Sequence, residues 1–240
     1  MKNKIILFTC VLTLGFSPLA SAYFTGTEIP TLHGIYGSSS DGSTKQLWDI
    51  LTTAGYTNLA NDVKKDVLEL GGVSSSYHVY KNTFWGSSGY DAKFVAEVAG
   101  YALQNRFGWY EKYHAFDVIS ENPNTTWGEL FSGPDTTGET AHFSYANQIG
   151  FWINPNGIPH NYYFTNTAPN LGSLQALTFS LEGYEGFGNQ YLVCFEDLRY
   201  YCGDKDFQDL IVEINPVPEP ASLSLLGLGL LGLLGFRKKA

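Results

Sequence analysis

Five carboxylates lie within 14 residues near the C-terminal end of the chain. Glu196 and Asp197 are followed by Asp204, Asp206 and Asp209, and the segment lies between the apolar stretches LVCF and LIVEI. Carboxylates crowded in one loop repel each other unless a cation or solvent separates them. Oxygen ligands in a flexible loop suit Ca²⁺, which takes about 6–8 oxygens. The spacing predicts a calcium site, and the alternative is a solvated acidic turn whose Asp side chains cap backbone amides.

The acidic segment does not follow the EF-hand pattern. With Asp204 at the first loop position, Asp209 stands where an EF-hand needs Gly and Asn215 where it needs Glu. The sequence also contains no H-E-x-x-H, no G-x-S-x-G and no phosphate-binding Gly-rich loop. Glu196 and Asp197 are adjacent strand residues that should face opposite sides, which is poor geometry for a glycosidase pair. We therefore predict that the protein is not an enzyme.

The elements that would position the acidic segment are predicted to be short strands. Two amphipathic helices come first, over 45–51 and 58–70, after an irregular lead-in over 23–43. Short apolar stretches separated by turn residues then favour a mainly β fold, a jelly-roll-like β-sandwich. The predicted strands are 77–84, 92–99, 105–111, 114–119, 127–131, 139–145, 149–153, 161–166, 175–182, 190–196 and 209–214.

Two cysteines, Cys194 and Cys202, remain once the N-terminal segment with Cys10 is set aside. An even count in an oxidising compartment favours a disulfide between them, and the alternative is two unrelated thiols. Because the closed loop is short, such a bond would shape the acidic segment locally more than it would stabilise the whole fold.

The N-terminus has the pattern of a secretory signal peptide. Lys2 and Lys4 precede an apolar stretch from Ile5 to Leu14, and an A-x-A site follows with Ala20 and Ala22 as its small residues. We expect signal peptidase to cleave after Ala22. The mature protein would therefore be exported.

The C-terminus carries a second processing pattern. Val-Pro-Glu-Pro-Ala-Ser, with Pro218, Glu219 and Pro220, precedes a Leu- and Gly-rich stretch over 223–236 and a basic end. The apolar stretch is shorter than the roughly 20 residues of a permanent membrane span. This tail resembles the PEP-CTERM sorting signal. The resemblance implies transient inner-membrane anchoring, cleavage by an exosortase, a Gram-negative host and an association with extracellular polysaccharide.

The formal charge of the mature protein excludes nucleic acid as a partner. Removing residues 1–22 and 220–240 takes away five of the 14 Lys and Arg residues and none of the 23 acids, so the formal charge changes from −9 to 9 − 23 = −14. Such a body repels nucleic acid and attracts cations. The predicted division is a signal peptide over 1–22, an N-terminal extension over 23–72, a β domain over 73–215 and a sorting tail over 216–240.

A second resemblance covers the body of the chain. FEDL followed by CGDKDFQDLIVEI is similar to a domain of unknown function found in PEP-CTERM proteins and other secreted bacterial proteins. Four earlier segments, KQLWDIL, AEVAGY, FGWY and IGFWINPNG, occur in the same order as in that domain, so the likeness covers most of residues 45–215. It implies a β-sandwich whose acidic loop binds calcium, with Glu196, Asp197, Asp204, Asp206 and Asp209 at the matching positions. Gln208 stands where that domain usually has Asn, and 199–202 replace a Gly-rich gap.

Two functions fit these features. The first is a calcium-stabilised structural or matrix protein that is exported and associated with extracellular polysaccharide or biofilm. The second is a glycan-binding or adhesive module that uses aromatic side chains such as Trp127, Tyr162 and Tyr163, although the same side chains are also expected to pack in a sandwich core. A carbohydrate-active enzyme is a distant third.

Overall fold

The computed structural model describes residues 23–28, 31–33, 46–70, 72–74, 79–86, 89–97, 104–122, 126–133, 135, 137–145, 147–184, 189–198 and 206–217. The predicted signal peptide, with Ala20 and Ala22, lies outside the described residues. So do Cys202, Asp204 and the predicted C-terminal apolar helix with Pro218, Glu219 and Pro220.

Within those residues the chain forms short strands and three α-helices. The helices are α1 Leu47–Thr53, α2 Thr57–Leu70 and α3 Ala115–Ile119. The strands are β1 Tyr23–Glu28, β2 Thr31–His33, β3 Gly72–Ser74, β4 Val79–Gly86, β5 Gly89–Glu97, β6 Arg106–Glu111, β7 Trp127–Ser132, β8 Thr140–Phe143, β9 Ile149–Asn154, β10 Tyr163–Phe164, β11 Ala176–Ser180, β12 Tyr191–Phe195 and β13 Leu210–Val217.

The main sheet is antiparallel and is nearly closed into a barrel. Its strand order is β7-β6-β9-β4-β11-β12-β13-β5-β8, with β1 beside β4 and β10 beside β9, while β2 and β3 form a separate pair. Aromatic rings at its two ends contact each other. The ring centroids of Phe131 in β7 and Phe94 in β5 are 5.6 Å apart, and those of the stacked rings of Trp109 in β6 and Phe143 in β8 are 5.8 Å apart. The predicted mainly β fold is confirmed, whereas the predicted jelly-roll-like β-sandwich is not shown.

Strand alternation divides the apolar side chains between the two faces of the sheet. On β12, Val193 and Phe195 point into the barrel, and Leu192 and Cys194 point outward to α1 and α2. The interior cluster includes Trp85, Tyr90, Phe94, Phe107, Phe131, Ile149, Phe151, Ile153, Val193, Phe195, Leu210, Val212 and Ile214. The helix-side cluster includes Leu47, Ile50, Leu51, Tyr56, Leu59, Val63, Val79, Val95, Leu177, Phe179, Leu181, Leu192, Cys194, Phe207 and Ile211.

The two N-terminal helices form where they are predicted. Leu47, Ile50 and Leu51 give α1 one buried face, and Leu59 and Val63 do the same for α2. Burial of these faces against the sheet supplies most of the stability that such short helices have. Among the described helices, none is both long enough and apolar enough to cross a membrane.

Two segments differ from the prediction. Residues 114–119 were expected to be a strand, yet Ala115–Ile119 is helical, because Ala115 and Val118 bury one helical face and the His114 ring lies 2.8 Å from the Asp117 carboxylate one turn away. The lead-in over 23–43 is predicted to be irregular, yet its described residues form two strands, β1 against β4 and β2 against β3. The Phe24 ring stacks on Tyr191 at 4.4 Å, a long-range contact that local composition does not reveal.

Cys194 is fully buried in the helix-side cluster and forms no disulfide with any residue that the structure describes. Its predicted partner, Cys202, lies outside the described residues, so the disulfide stays a prediction. The predicted domain bounds likewise stay a prediction.

Candidate metal centre

Four neighbouring strands end in one row at the rim of the barrel. Ala176 at the start of β11 pairs with Phe195 at the end of β12, which pairs with Leu210 at the start of β13, which pairs with Glu97 at the end of β5. The residues just beyond these ends therefore meet at the rim. They are Gln175, Glu196 and Asp209.

Glu196, Asp206 and Asp209 each offer one carboxylate oxygen, and the three oxygens lie within 4.8 Å of one another. All three residues are buried, with exposed fractions of 1%, 1% and 5%. Ca²⁺ binds its oxygens at about 2.3–2.6 Å, so two ligands of one ion are separated by at most about 5 Å. The spread of the three oxygens thus fits one cation of this size. These are three of the five carboxylates predicted as ligands.

The fourth predicted ligand, Asp197, is buried beside this trio. Its backbone N–H donates a 2.7 Å hydrogen bond to Asp209 Oδ2, which fixes the orientation of that carboxylate. Asp204 lies outside the described residues. The structure therefore brings together four of the five predicted residues.

Gln208 orients the Asp206 carboxylate. Its backbone N–H donates to Asp206 Oδ1 at 3.3 Å, and its side-chain Nε2 donates to Asp206 Oδ2. Gln208 is fully buried, and its Oε1 has no hydrogen-bond partner among the described residues. An unpaired buried amide oxygen is destabilising unless something binds it. Since the Gln208 amide group is hydrogen-bonded to Asp206, its oxygen Oε1 is a candidate neutral ligand for a cation bound by the trio.

Gln175 holds the other side of the site, although no motif in the sequence predicts it. Its backbone carbonyl accepts a 3.0 Å hydrogen bond from the Glu196 N–H. Its side-chain Nε2 donates to the carbonyls of Glu196, at 3.4 Å, and Leu198. Only the pairing of β11 with β12 places Gln175 here, because it lies 21 residues from Glu196 in the chain.

Electrostatics show that the carboxylates interact strongly. Burial raises the pKa of Asp209 well above its usual range, and the charges of Asp197, Glu196 and Asp206 raise it further, against a lowering by the Asp197 N–H. Two unit charges 4.8 Å apart repel by about 3.5 kcal/mol at an effective dielectric constant of about 20. A bound cation would replace this repulsion with attraction.

Glu97 extends the acidic rim and is not among the ligands that the sequence predicts. Because Leu210 faces the interior cluster and pairs with Glu97, the Glu97 side chain lies on the interior face, in a small cleft with Phe94 and Phe107. Burial raises the pKa of Glu97 to about 8, an amide contact from Asn105 lowers it, and the charge of Asp197 raises it. No local pattern in the sequence distinguishes this residue from an ordinary strand glutamate.

A comparison with family models identifies the tail that follows this site. Residues 216–239 match the model of the PEP-CTERM protein-sorting motif. The chain carries a PEP-CTERM sorting motif. The motif implies an exported protein that is targeted to an exosortase, with a surface or extracellular location in a bacterium. No curated protein and no solved structure matches the chain, so the predicted likeness of the body to a secreted domain stays a prediction.

The PEP-CTERM motif begins inside the folded body. Its first residues, Pro216 and Val217, are the last two of β13 and pair with Tyr90 and Gly89 of β5. At its other end β13 begins at Leu210, directly after Asp209. One strand therefore connects the acidic rim to the sorting motif.

Proposed function

We propose that the folded body binds one Ca²⁺ ion at the rim of the barrel and that the exported protein is a structural component of the cell surface or extracellular matrix. The buried trio of Glu196, Asp206 and Asp209 carries the proposal. The role is one of binding and stabilisation, and we assign the protein no catalytic reaction. Extracellular polysaccharide is its proposed surroundings, in keeping with the resemblance of the tail.

The donor set fits a hard cation. Three carboxylates and the Gln208 amide oxygen supply only oxygen, and oxygen ligands suit Ca²⁺ and Mg²⁺ better than they suit zinc or copper. Mg²⁺ binds oxygen at about 2.0–2.1 Å, which limits the separation of two of its ligands to about 4.2 Å. The upper bound of 4.8 Å on the oxygen separations lies within the limit for Ca²⁺, and we propose Ca²⁺ as the ion. Asp197 and Asp204 are proposed as further ligands.

A cation at this place would act on the fold. Glu196 follows the end of β12, and Asp206 and Asp209 precede the start of β13, so one ion would connect the ends of two neighbouring strands. It would also offset the repulsion among buried carboxylates. A ligand that binds only the folded state stabilises it by mass action, by about 2.7 kcal/mol at a free concentration 100 times its Kd.

Calorimetric titration of Ca²⁺ into metal-stripped full-length chain tests the site. We expect saturable binding of one ion and a higher melting temperature in Ca²⁺ than in EGTA. The double variant Glu196→Gln/Asp206→Asn should lose both effects, and Glu69→Gln, at an exposed position of α2, is the matched surface control. Absence of binding at millimolar Ca²⁺, or binding that survives the double substitution, would contradict the proposal.

Processing at both ends is tested separately. We propose that signal peptidase removes residues 1–22 and that an exosortase cuts the chain near Pro218, Glu219 and Pro220. Mass spectrometry of the secreted protein should show both termini trimmed in a host that has the exosortase, and an intact C-terminus when the exosortase gene is deleted. An intact tail in both hosts would refute the processing model.

A further inference from the structure

A groove of about 350 Å³ lies beside the C-terminal end of α3. Its apolar wall includes Ile119, Pro169 and Leu171, and its polar wall includes Asn161 and Ser173. The volume is within the range of about 300–1,000 Å³ that is usual for small-molecule sites. No Asp, Glu, Lys or Arg is among the residues that line it.

Leu171 is the most informative residue of the groove. Its side chain is 93% exposed and its φ is +56°, in the left-handed region that disfavours leucine. Gly172 follows it, so the turn already has a residue suited to positive φ. The fold gains almost no burial from this side chain and carries a strained backbone to present it. Strain of this kind is concentrated where a residue contacts a ligand.

Two further lining residues, Tyr162 and Asn170, are held in place by their neighbours. The Tyr162 ring packs edge-on against Trp152 at 5.3 Å, and its hydroxyl donates to Glu121 Oε1 at 2.9 Å. Asn170 is fixed by two hydrogen bonds to the backbone of Phe164, at 2.9 Å and 2.8 Å. A preformed site loses little conformational entropy when a ligand binds.

Trp127 and Tyr162, two of the aromatic residues predicted to stack on a glycan, serve mainly to build this part of the fold. The Trp127 indole N–H donates to the Asn122 carbonyl at 2.7 Å, and Tyr162 is only 6% exposed. Tyr163 is half-buried, packs against the interior cluster and lines the groove. Ligand contacts should therefore come mainly from Leu171, Tyr163 and the polar wall.

The residues that line the groove indicate which class of ligand it suits. A cation would find no carboxylate among the lining residues, and an anion would find no Lys or Arg there, only the imidazole of His160, and would be repelled by a chain whose formal charge is −9. A purely apolar ligand would leave Asn161 and Ser173 without partners, since neither side chain makes a hydrogen bond within the described part of the chain. Sugar rings combine apolar C–H faces with neutral hydroxyl groups, which matches both walls.

We propose that this groove binds a segment of a neutral oligosaccharide. Leu171 and Tyr163 contact the C–H faces of the sugar, and Asn161 and Ser173 bind its hydroxyl groups. The proposal does not depend on a cation at the rim, although Gln175 lines the groove and also holds the Glu196–Leu198 backbone.

The test is a calorimetric titration of the full-length chain, held in a detergent without a sugar headgroup and measured in EGTA. The ligands are neutral hexaoses of β-1,4-, β-1,3- and α-1,4-linked glucose, with an oligogalacturonate of equal length as the charged comparison. We expect saturable binding of at least one neutral chain. Leu171→Gly and Asn161→Ala should each raise its Kd about fivefold or more. Leu68→Ala is the control, because Leu68 is 68% exposed on α2 and outside the groove lining.

Three results would overturn the proposal. They are no binding of any neutral hexaose at millimolar concentration, equal binding by Leu171→Gly and the parent chain, and tighter binding of the oligogalacturonate. Repeating the titration in Ca²⁺ separates the two sites, because the groove is expected to bind with or without the ion.

Discussion

Replacement of Asp209 by Asn should have opposite effects on the metal-free and the calcium-bound protein. The substitution removes one charge from the buried trio while its side-chain oxygen can still accept the hydrogen bond from the Asp197 N–H. Without metal, the variant lacks part of the carboxylate repulsion. With Ca²⁺, it lacks one charged ligand. The same substitution should therefore stabilise one state of the protein and weaken the response to the ion.

The magnitude follows from the geometry. Because the three oxygens all lie within 4.8 Å of one another, each pair of ionised carboxylates repels by at least about 3.5 kcal/mol at an effective dielectric constant of about 20. Protonation limits this penalty, since burial and the neighbouring charges raise the pKa of Asp209. We expect the variant to be more stable than the parent by about 2 kcal/mol in EGTA at pH 8. An acid whose pKa is raised by folding destabilises the folded state as the pH rises, so the difference should shrink at pH 5.

Urea unfolding of the full-length chain, in EGTA and in Ca²⁺, measures both effects. At 100 times the parent Kd, Ca²⁺ should stabilise the parent by about 2.7 kcal/mol, and a tenfold loss of affinity would reduce this gain to about 1.4 kcal/mol in the variant. Glu69→Gln should change neither value. A variant that is less stable than the parent in EGTA, or one that keeps the full calcium gain, would refute the electrostatic reasoning.

Two further substitutions test other parts of the structure. Because folding raises the pKa of Glu97 from 4.5 to about 8, the parent should lose stability as the pH rises from 4.5 to 8. Glu97→Gln should therefore be more stable than the parent at pH 8 by about 2 kcal/mol. This is less than half of the full linkage value, because the side chain is partly exposed. Equal urea midpoints at pH 8 would contradict this. Leu171→Gly should raise the free energy of unfolding by about 1 kcal/mol. Leucine at positive φ costs about 1–2 kcal/mol, and the greater backbone entropy that glycine loses on folding cancels part of this gain. A lower melting temperature for Leu171→Gly, with Leu68→Ala unchanged, would show that Leu171 supports the fold.

The sequence predicts the strands well because most of them bury large side chains on at least one face. All six residues of β9 are buried, and a continuous apolar stretch of this kind favours a strand without further information. β1 was missed because its Gly and Thr content is also typical of a loop, and only its pairing with β4 makes it a strand. The α3 segment is five residues long, too short for periodicity to separate a helix from a strand.

The acidic site is only partly predictable for a related reason. Glu196, Asp206 and Asp209 lie close together in the chain, so their spacing alone points to a shared site. Gln175 and Glu97 reach the rim through strand pairing, although they lie 21 and 99 positions before Glu196 in the chain. Residues that a site recruits through sheet register leave no local pattern in the sequence.

The position of β13 bears on how a cation could affect processing of the tail. Pro216, the first residue of the motif, lies seven positions after Asp209, so at about 3.4 Å per residue the acidic rim and the start of the sorting motif are separated by about 24 Å. An ion at the rim cannot contact the motif. Loss of the ion would loosen β13 first at Leu210, whereas Pro216 and Val217 would stay paired with Tyr90 and Gly89 until most of the strand had separated. Exosortase cleavage should therefore be insensitive to Ca²⁺ while the body stays folded, and it should depend on the ion only under conditions in which the whole barrel unfolds without it.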